Sequence, residues 1–290
     1  MKRIGIIGGS GLYDMEGVTA VEEVAVSTPF GETSDAVRLA LLDGHPVAFL
    51  PRHGRGHLVS PTEINYRANI WALKSVGVES VLSVSAVGSM REEIVPGHLV
   101  FVDQFIDRTK GIRAHTFFGD GCVGHVGFGD PICKSILPVL AKCAAENDIP
   151  HHRSGTYVCI EGPQFSTRAE SHMHRSWDVS VVGMTNLTEA KLAREAELHY
   201  ATIAMATDYD VWHESEEDVS VEQVLATISG NVGKATRLIR AVVPELFAMT
   251  ESSECQCNNA LAHAVMTDPS LIPDATRERL HLLMKRYWEE

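Results

Sequence analysis

The sequence predicts an α/β fold in a single domain, and three observations carry that prediction. Strand-like apolar runs recur along the 290 residues and alternate with stretches of helical periodicity, the pattern of a sheet covered by helices on both faces. Five of those runs end in short polar or glycine-rich segments, as expected where a ligand binds beyond the carboxyl ends of strands. No internal repeat, low-complexity linker or composition shift marks a boundary, so residues 1–290 read as one domain with a helical C-terminal tail from about residue 251. With 44% hydrophobic residues the chain can bury a large core.

The strand-like runs are RIGIIGG from Arg3, HPVAFLPRHG from His45, VESVLSVSAVGS from Val78, GHLVFVDQFID from Gly97, DVSVVGMT from Asp178 and ATIAMATDYD from Ala201. The last is too short and too rich in small side chains for a free-standing amphipathic helix, and reads as a buried strand. Between them TEINYRANIWALKSVG, ICKSILPVLAKCAAEND and TEAKLAREAEL have helical spacing. The basic pair Lys2–Arg3 before an apolar run superficially resembles a secretion signal. The run breaks at Gly8 and Gly9, however, and no stretch reaches the roughly 18 apolar residues of a membrane span. A cytoplasmic protein is expected. The formal net charge is −13 without a basic cluster, which argues against nucleic-acid or acidic-membrane partners and for small molecules.

The glycines of IGIIGGSGLY let backbone N–H groups approach an anion, with the Ser10 hydroxyl at the tip. The stretch fits neither a dinucleotide fingerprint nor a P-loop, and a turn without ligand is the competing reading. Arg52 and His53 follow the second run and suit phosphate oxygens; a surface charge cluster is the alternative. Ser85, the N–H of Ala86, and Thr185 complete a coherent anion site, with free phosphate a better match than a nucleoside triphosphate. In TDYD, Asp208 and Asp210 would share one strand face; solvated turn residues or helix caps remain the other reading.

The segments IGIIGGSGLY, PRHGRGH with the following NYRANIWALK, VGSMREEIVPGHLVFVDQFIDRT, EGPQFSTRAES, GMTNLTEAKLAREAE and AMATDYDVW resemble, in order and spacing, the methylthioadenosine phosphorylases of the purine nucleoside phosphorylase superfamily. They span residues 4 to about 230. The tail from CQCNNALAHAVMTDPSLIP resembles prokaryotic members. The resemblance implies a single α/β domain around a mixed, partly barrel-like sheet flanked by helices, assembled as a trimer or dimer of trimers. It also implies phosphorolysis of 5′-methylthioadenosine, with inorganic phosphate as co-substrate and no redox or organic cofactor. The family's phosphate contacts fall on Ser10, Arg52, His53, Ser85, Ala86 and Thr185, the set gathered above. Met184 corresponds to the residue under the ribose, and Phe165 and Ser166 to the edge of the base pocket, with Phe165 stacking on the purine. His125 corresponds to a residue reaching the neighbouring subunit's site. Val221, Val224 and Leu225 have the spacing of one helix face; core packing is its commoner meaning, while in the family this helix closes over the methylthio group.

Phosphorolysis needs the departing purine to gain electron density, so a proton donor at N7 lowers the barrier. Asp210 is assigned as that donor, and Asp208 as acceptor from the 6-amino group. A 6-oxopurine nucleoside or methylthioinosine phosphorylase is the nearest rival, against which the acid pair counts. A non-catalytic nucleoside-binding protein is the rival from another class, and it should have lost Asp210 or the Arg52–His53 pair. The pairs His151–His152 and His172–His174 suggest no metal site, and the six scattered cysteines, Cys255 and Cys257 among them, read as reduced thiols outside any Cys/His framework.

Overall fold

The computed structural model describes residues 2–213, 221–249 and 255–288, apart from the side chains of Ser10 and residues 221–226. In chain order the strands and helices are β1 (Arg3–Gly8), β2 (Val18–Val24), β3 (Val37–Leu42), β4 (His45–Pro51), α1 (Tyr66–Ser75), β5 (Val78–Ser89), β6 (Leu99–Val102), β7 (Gln104–Arg108), α2 (Ile136–Glu146), β8 (His151–His152), β9 (Thr156–Ile160), α3 (Arg168–Ser176), β10 (Val181–Gly183), α4 (Asn186–Glu195), β11 (His199–Asp208), α5 (Val221–Ala248) and α6 (Asp274–Trp288).

The strands form one mixed sheet, ordered β2-β3-β4-β1-β5-β10-β9-β7, with β11 branching from β5 to pair with β6, and β6 in turn with β8. β5 makes this possible because its 12 residues are almost wholly buried. Its length pairs in parallel with β1 on one side and β11 on the other, while its end pairs antiparallel with β10. Only Asp103 separates β6 from β7, and this near-continuous run joins the two branches. The ring β5-β10-β9-β7/β6-β11 is the partly barrel-like element. β2, by contrast, is an exposed edge carrying Glu22 and Glu23, charges that discourage pairing with another chain.

β1 and β11 are buried on both faces and consist mostly of apolar and small side chains, as strands covered by helices on each side must. α1 starts at Asn65, whose side-chain oxygen accepts from Ala68 N–H at 3.2 Å. α3 starts with a reciprocal capping box between Thr167 and Glu170. Among the described residues no helix is long and apolar enough to cross a membrane.

Candidate active site

Parallel register sets Gly8 beside Pro51 and Ile7 beside Ser83, and the Arg52 N–H donates to the Gly8 carbonyl at 3.1 Å. The predicted anion-binding segments after β1 and β4 and at the middle of β5 therefore meet. Arg52 is 3% exposed, which eliminates the surface-cluster reading. Its Nε and Nη2 donate to the two Glu189 oxygens at 2.5 and 3.3 Å, Nη2 also to Ser83 Oγ at 2.6 Å, and Nη1 to the Val84 carbonyl at 2.8 Å. Burial opposes the charge, but Glu189 outweighs it and holds the guanidinium above its ordinary pKa. Of five guanidinium hydrogens, one on Nη1 is left to meet an anion. Glu189 is fixed in turn by the hydroxyls of Ser83 and Tyr200 at 2.5 and 2.9 Å. Asn186 donates to Ser83 Oγ at 2.8 Å.

His53 rests on the Val59 carbonyl through Nδ1 at 2.8 Å and stacks on His57. Since a carbonyl only accepts, Nδ1 carries the proton. Burial first, then the Arg52 charge, lower the ring's pKa to about 4, so at neutral pH Nε2 is an acceptor. It therefore suits the hydroxyl of a hydrogen phosphate, whereas Arg52 can only donate. A depressed histidine pKa contributes nothing to stability above about 6.5, where both states are neutral, and removes stability as pH falls towards 4, because only the unfolded chain binds the proton. His53→Asn, whose amide can still donate to Val59, is expected to lose about 2–3 kcal/mol less than the parent between pH 7 and 4.5. Urea midpoints at the two pH values check this, and equal losses would mean that His53 is not held neutral.

Thr185 is buried at the N-cap of α4 without capping that helix through its side chain. Ala86 is aligned with Met205 of β11. Ser10 opens a short turn after β1, and its side chain lies outside the described residues.

At the base end, the structure corrects the shared strand face of the two acids. β11 ends at Asp208, and Asp210 follows in the left-handed region at φ +54°. Asp208 Oδ1 accepts from the Asp210 N–H at 2.8 Å and Oδ2 from the Thr207 hydroxyl at 2.6 Å. The two residues still lie side by side, because Gly88 of β5 packs against both: a β-carbon there would lie 3.0 Å from Asp208 Oδ1 and 3.3 Å from Asp210 Cβ. Burial pushes both pKa values up, and for Asp208 the neighbouring Asp210 adds to the rise. Ser171, Ser166 and His174 act on Asp210 in the opposite direction.

Among the described residues, three buried side-chain oxygens have no hydrogen-bond partner: Ser85 Oγ, Ser166 Oγ and Asp210 Oδ2. All three belong to residues nominated from the sequence. An orphaned buried polar atom costs about 1–3 kcal/mol; the Ser166 hydroxyl faces the Asp210 carboxyl, and nitrogens of Arg38, Arg67, Trp71, Arg91, His174 and Arg279 are unpartnered as well, so these oxygens are groups that a polar ligand could satisfy.

Met184 packs its sulfur against Gly162, whose φ of +67° and lack of a β-carbon allow the approach. The Met184 carbonyl accepts from Arg113 Nη1 at 2.5 Å, and Arg113 is paired with Glu161 at 2.7 Å. Phe165 is 45% exposed within the single chain. His125 is exposed on a loop whose backbone is joined to the tail, its N–H donating to the Ala264 carbonyl at 2.8 Å. Val221, Val224 and Leu225 begin α5, but their side chains lie outside the described residues. Two surface clefts of 270 and 290 Å³, one bordered by Lys134 and Arg153 and the other by Arg91 and His152, contain none of the nominated residues.

Sequence reading missed Glu189, Ser83, Asn186, Arg113, Glu161 and His174. Asn186 and Glu189 carried a signal, since a polar pair at i and i+3 sits on the side of the helix that also holds Ala190 and Ala193. His174 is buried with both ring nitrogens unpartnered, whereas His172 is exposed, so the two do not form a metal pair. The structure also corrects the expectation that no Cys/His framework exists. Cys133, His199, Cys255 and Cys257 bring their ligand atoms within 4.8 Å of one another, at the opposite end of β11 from Asp208.

Comparison with known proteins agrees with this geometry. A family model described as the phosphorylase superfamily matches residues 3–244. The S-methyl-5′-thioadenosine phosphorylase of Geobacter sulfurreducens is 55% identical over 284 residues, covering 98% of each chain. A methylthioadenosine phosphorylase structure from an Antarctic soil metagenomic library superposes with a TM-score of 0.92 at 46% identity, over 97% of this chain and 98% of that one. A variant of the adenosine/methylthioadenosine phosphorylase of Schistosoma mansoni, solved with adenine, superposes with a TM-score of 0.84 at 35% identity, over 90% of this chain and 97% of that one. The chain belongs to the phosphorylase superfamily and, within it, to the S-methyl-5′-thioadenosine phosphorylase family.

Proposed function

We propose that the protein cleaves S-methyl-5′-thioadenosine with inorganic phosphate to adenine and S-methyl-5-thio-α-D-ribose 1-phosphate. The three orphaned oxygens at Ser85, Ser166 and Asp210 are the observation that carries this reading, because they divide between the phosphate end and the base end of one site. Relatives about half identical to this chain bear the name of that activity.

Phosphate rests on Arg52, His53, Ser85, Thr185, the Ala86 N–H and Ser10, and attacks C1′ from the face opposite the base. A phosphate oxygen–C1′ bond forms as the C1′–N9 bond breaks, through an oxocarbenium-like state. The bonding pair passes into the purine's imidazole ring, and Asp210 delivers its proton to N7, finishing as a carboxylate that solvent reprotonates. The raised Asp210 pKa favours the protonated start. Asp208 retains lone pairs beyond those given to Thr207 and Asp210, and one accepts from the 6-amino group. The protein contributes position and electrostatics rather than a covalent nucleophile. Met184 underlies the ribose, Phe165 and Ser166 border the base, and Val221, Val224 and Leu225 enclose the methylthio group. No organic cofactor takes part.

The enzyme on this reading is a cytoplasmic trimer, in which His125 reaches a neighbouring site. Exposure of Phe165 in the isolated chain supports assembly, and light scattering on the purified protein tests it. For the reaction, adenine release from methylthioadenosine is expected only with phosphate or arsenate present. Equal release in phosphate-free buffer would make the protein a hydrolase, and faster turnover of methylthioinosine would reassign the base.

A further inference from the structure

Cys133 lies just before α2, His199 opens β11, and Cys255 and Cys257 belong to the segment after α5. In sequence Cys133 is 66 residues from His199 and 122 from Cys255. The fold nevertheless sets Cys133 Sγ and Cys255 Sγ each 3.4 Å from His199 Nδ1, and 3.6 Å from each other. With Cys257 included, all four ligand atoms lie within 4.8 Å. Cys133, Cys257 and His199 are buried, His199 at 8% exposure, and Cys255 is half-buried.

We infer that these four residues form a structural zinc site. Around a tetrahedral zinc, bonds of about 2.3 Å to sulfur and 2.0–2.1 Å to nitrogen set neighbouring ligand atoms about 3.5–3.8 Å apart, close to the 3.4–3.6 Å among Cys133, Cys255 and His199, with Cys257 inside the 4.8 Å limit of the cluster. The thiols are free, and the 3.6 Å between Cys133 Sγ and Cys255 Sγ is a separation that two ligands of a shared ion can adopt, not that of a formed disulfide at about 2 Å. Three thiolates and an imidazole select a soft or borderline cation over magnesium or calcium. Four protein ligands leave no open position for substrate, as in sites that hold a fold together.

Position agrees with that role. β11 rises about 3.3 Å per residue, so its ten residues put the cysteine cluster roughly 30 Å from Asp208. The segment that supplies two of the ligands continues into a latch against the same end of the domain: the Leu261 N–H and the Tyr287 hydroxyl both donate to Glu197 Oε1, at 2.9 and 2.5 Å. Further on, Val265 bridges to Gly124 beside His125. A metal here ties the tail to α2 and β11, and through the tail steadies the His125 loop.

The test begins with the full-length protein produced with zinc and purified under reducing conditions. About one zinc per chain is expected, released when a mercurial blocks the thiols. Reconstitution with cobalt(II) should give thiolate-to-cobalt charge-transfer bands and the intense visible bands of a tetrahedral ion, a readout that requires no variant to fold. Changing groups that merely support ligands costs about 10–100-fold in metal affinity, so Cys255→Ser with Cys257→Ser should lose zinc at least that far. Thermal inactivation should speed up while kcat/KM measured well below the transition stays near the parent value. Substoichiometric metal in zinc-supplied protein, a cobalt spectrum that is octahedral or survives in the double variant, or a disulfide among these cysteines found by mass spectrometry in freshly purified enzyme would each overturn the assignment.

Discussion

Asp210→Asn is expected to lower kcat by about 10²–10⁴-fold while leaving the fold and the KM for phosphate close to the parent. The size follows from losing a positioned proton donor, and the specificity from the backbone. Asp210 sits at φ +54°, a conformation asparagine adopts nearly as readily as aspartate. An amide can still point a hydrogen bond at N7 but cannot surrender the proton. Asp210→Ala should therefore be slower still, and less stable by about 1–2 kcal/mol from the left-handed conformation. Steady-state rates at saturating phosphate, with urea unfolding alongside, separate the two losses. A substrate analogue with carbon in place of N7 should be nearly inert with the parent enzyme. Undiminished turnover by Asp210→Asn would remove Asp210 from the role of acid.

Arg52→Ala should cost about 3–5 kcal/mol of stability, because it leaves Glu189 as an uncompensated carboxylate inside the domain. It should also raise the phosphate requirement far more than the nucleoside requirement. The effects come apart in the double variant Arg52→Ala with Glu189→Gln: removing the stranded charge restores much of the stability but not the affinity for phosphate. Chemical denaturation and phosphate KM on both single variants and the double form the cycle that measures this coupling. If Arg52→Ala unfolds at the parent midpoint, the ion pair is not the support proposed for the anion site.

The strands that carry the candidate site are more legible in the sequence than the frame around them. β1, β5 and β11 are buried on both sides, so their apolar runs could mean little else, and the polar residues at their ends pointed to one pocket. β2 escaped because it is an edge with nearly every side chain in water. α3 escaped because only Ser171 and His174 are buried on it, which leaves no apolar stripe; its Thr167–Glu170 capping box was the available clue. The Arg52–Glu189 pair spans 137 residues, and nothing local to either residue announces the other. The same holds for the cysteine cluster, where no segment supplies more than two ligands. Asp210 shows the limit of periodicity, since the strand rule that joined it to Asp208 stops applying where the strand stops.

The place of β5 in the sheet has a consequence for how the chain is made. One edge of β5 can pair with β1 as soon as both have left the ribosome, but the other waits for β11. At bacterial-to-eukaryotic elongation rates, the chain between Ser89 and His199 takes roughly 5–20 s to synthesise. For that interval the edge of β5 from Ser80 to Gly88, which β11 later covers, presents unpaired N–H and C=O groups, the feature that invites association with other chains. Long-range strand pairing of this kind is also intrinsically slow. Yield of folded enzyme is thus governed by what shields one strand edge during translation, and that dependence arises from strand order alone, independent of the finished site's chemistry.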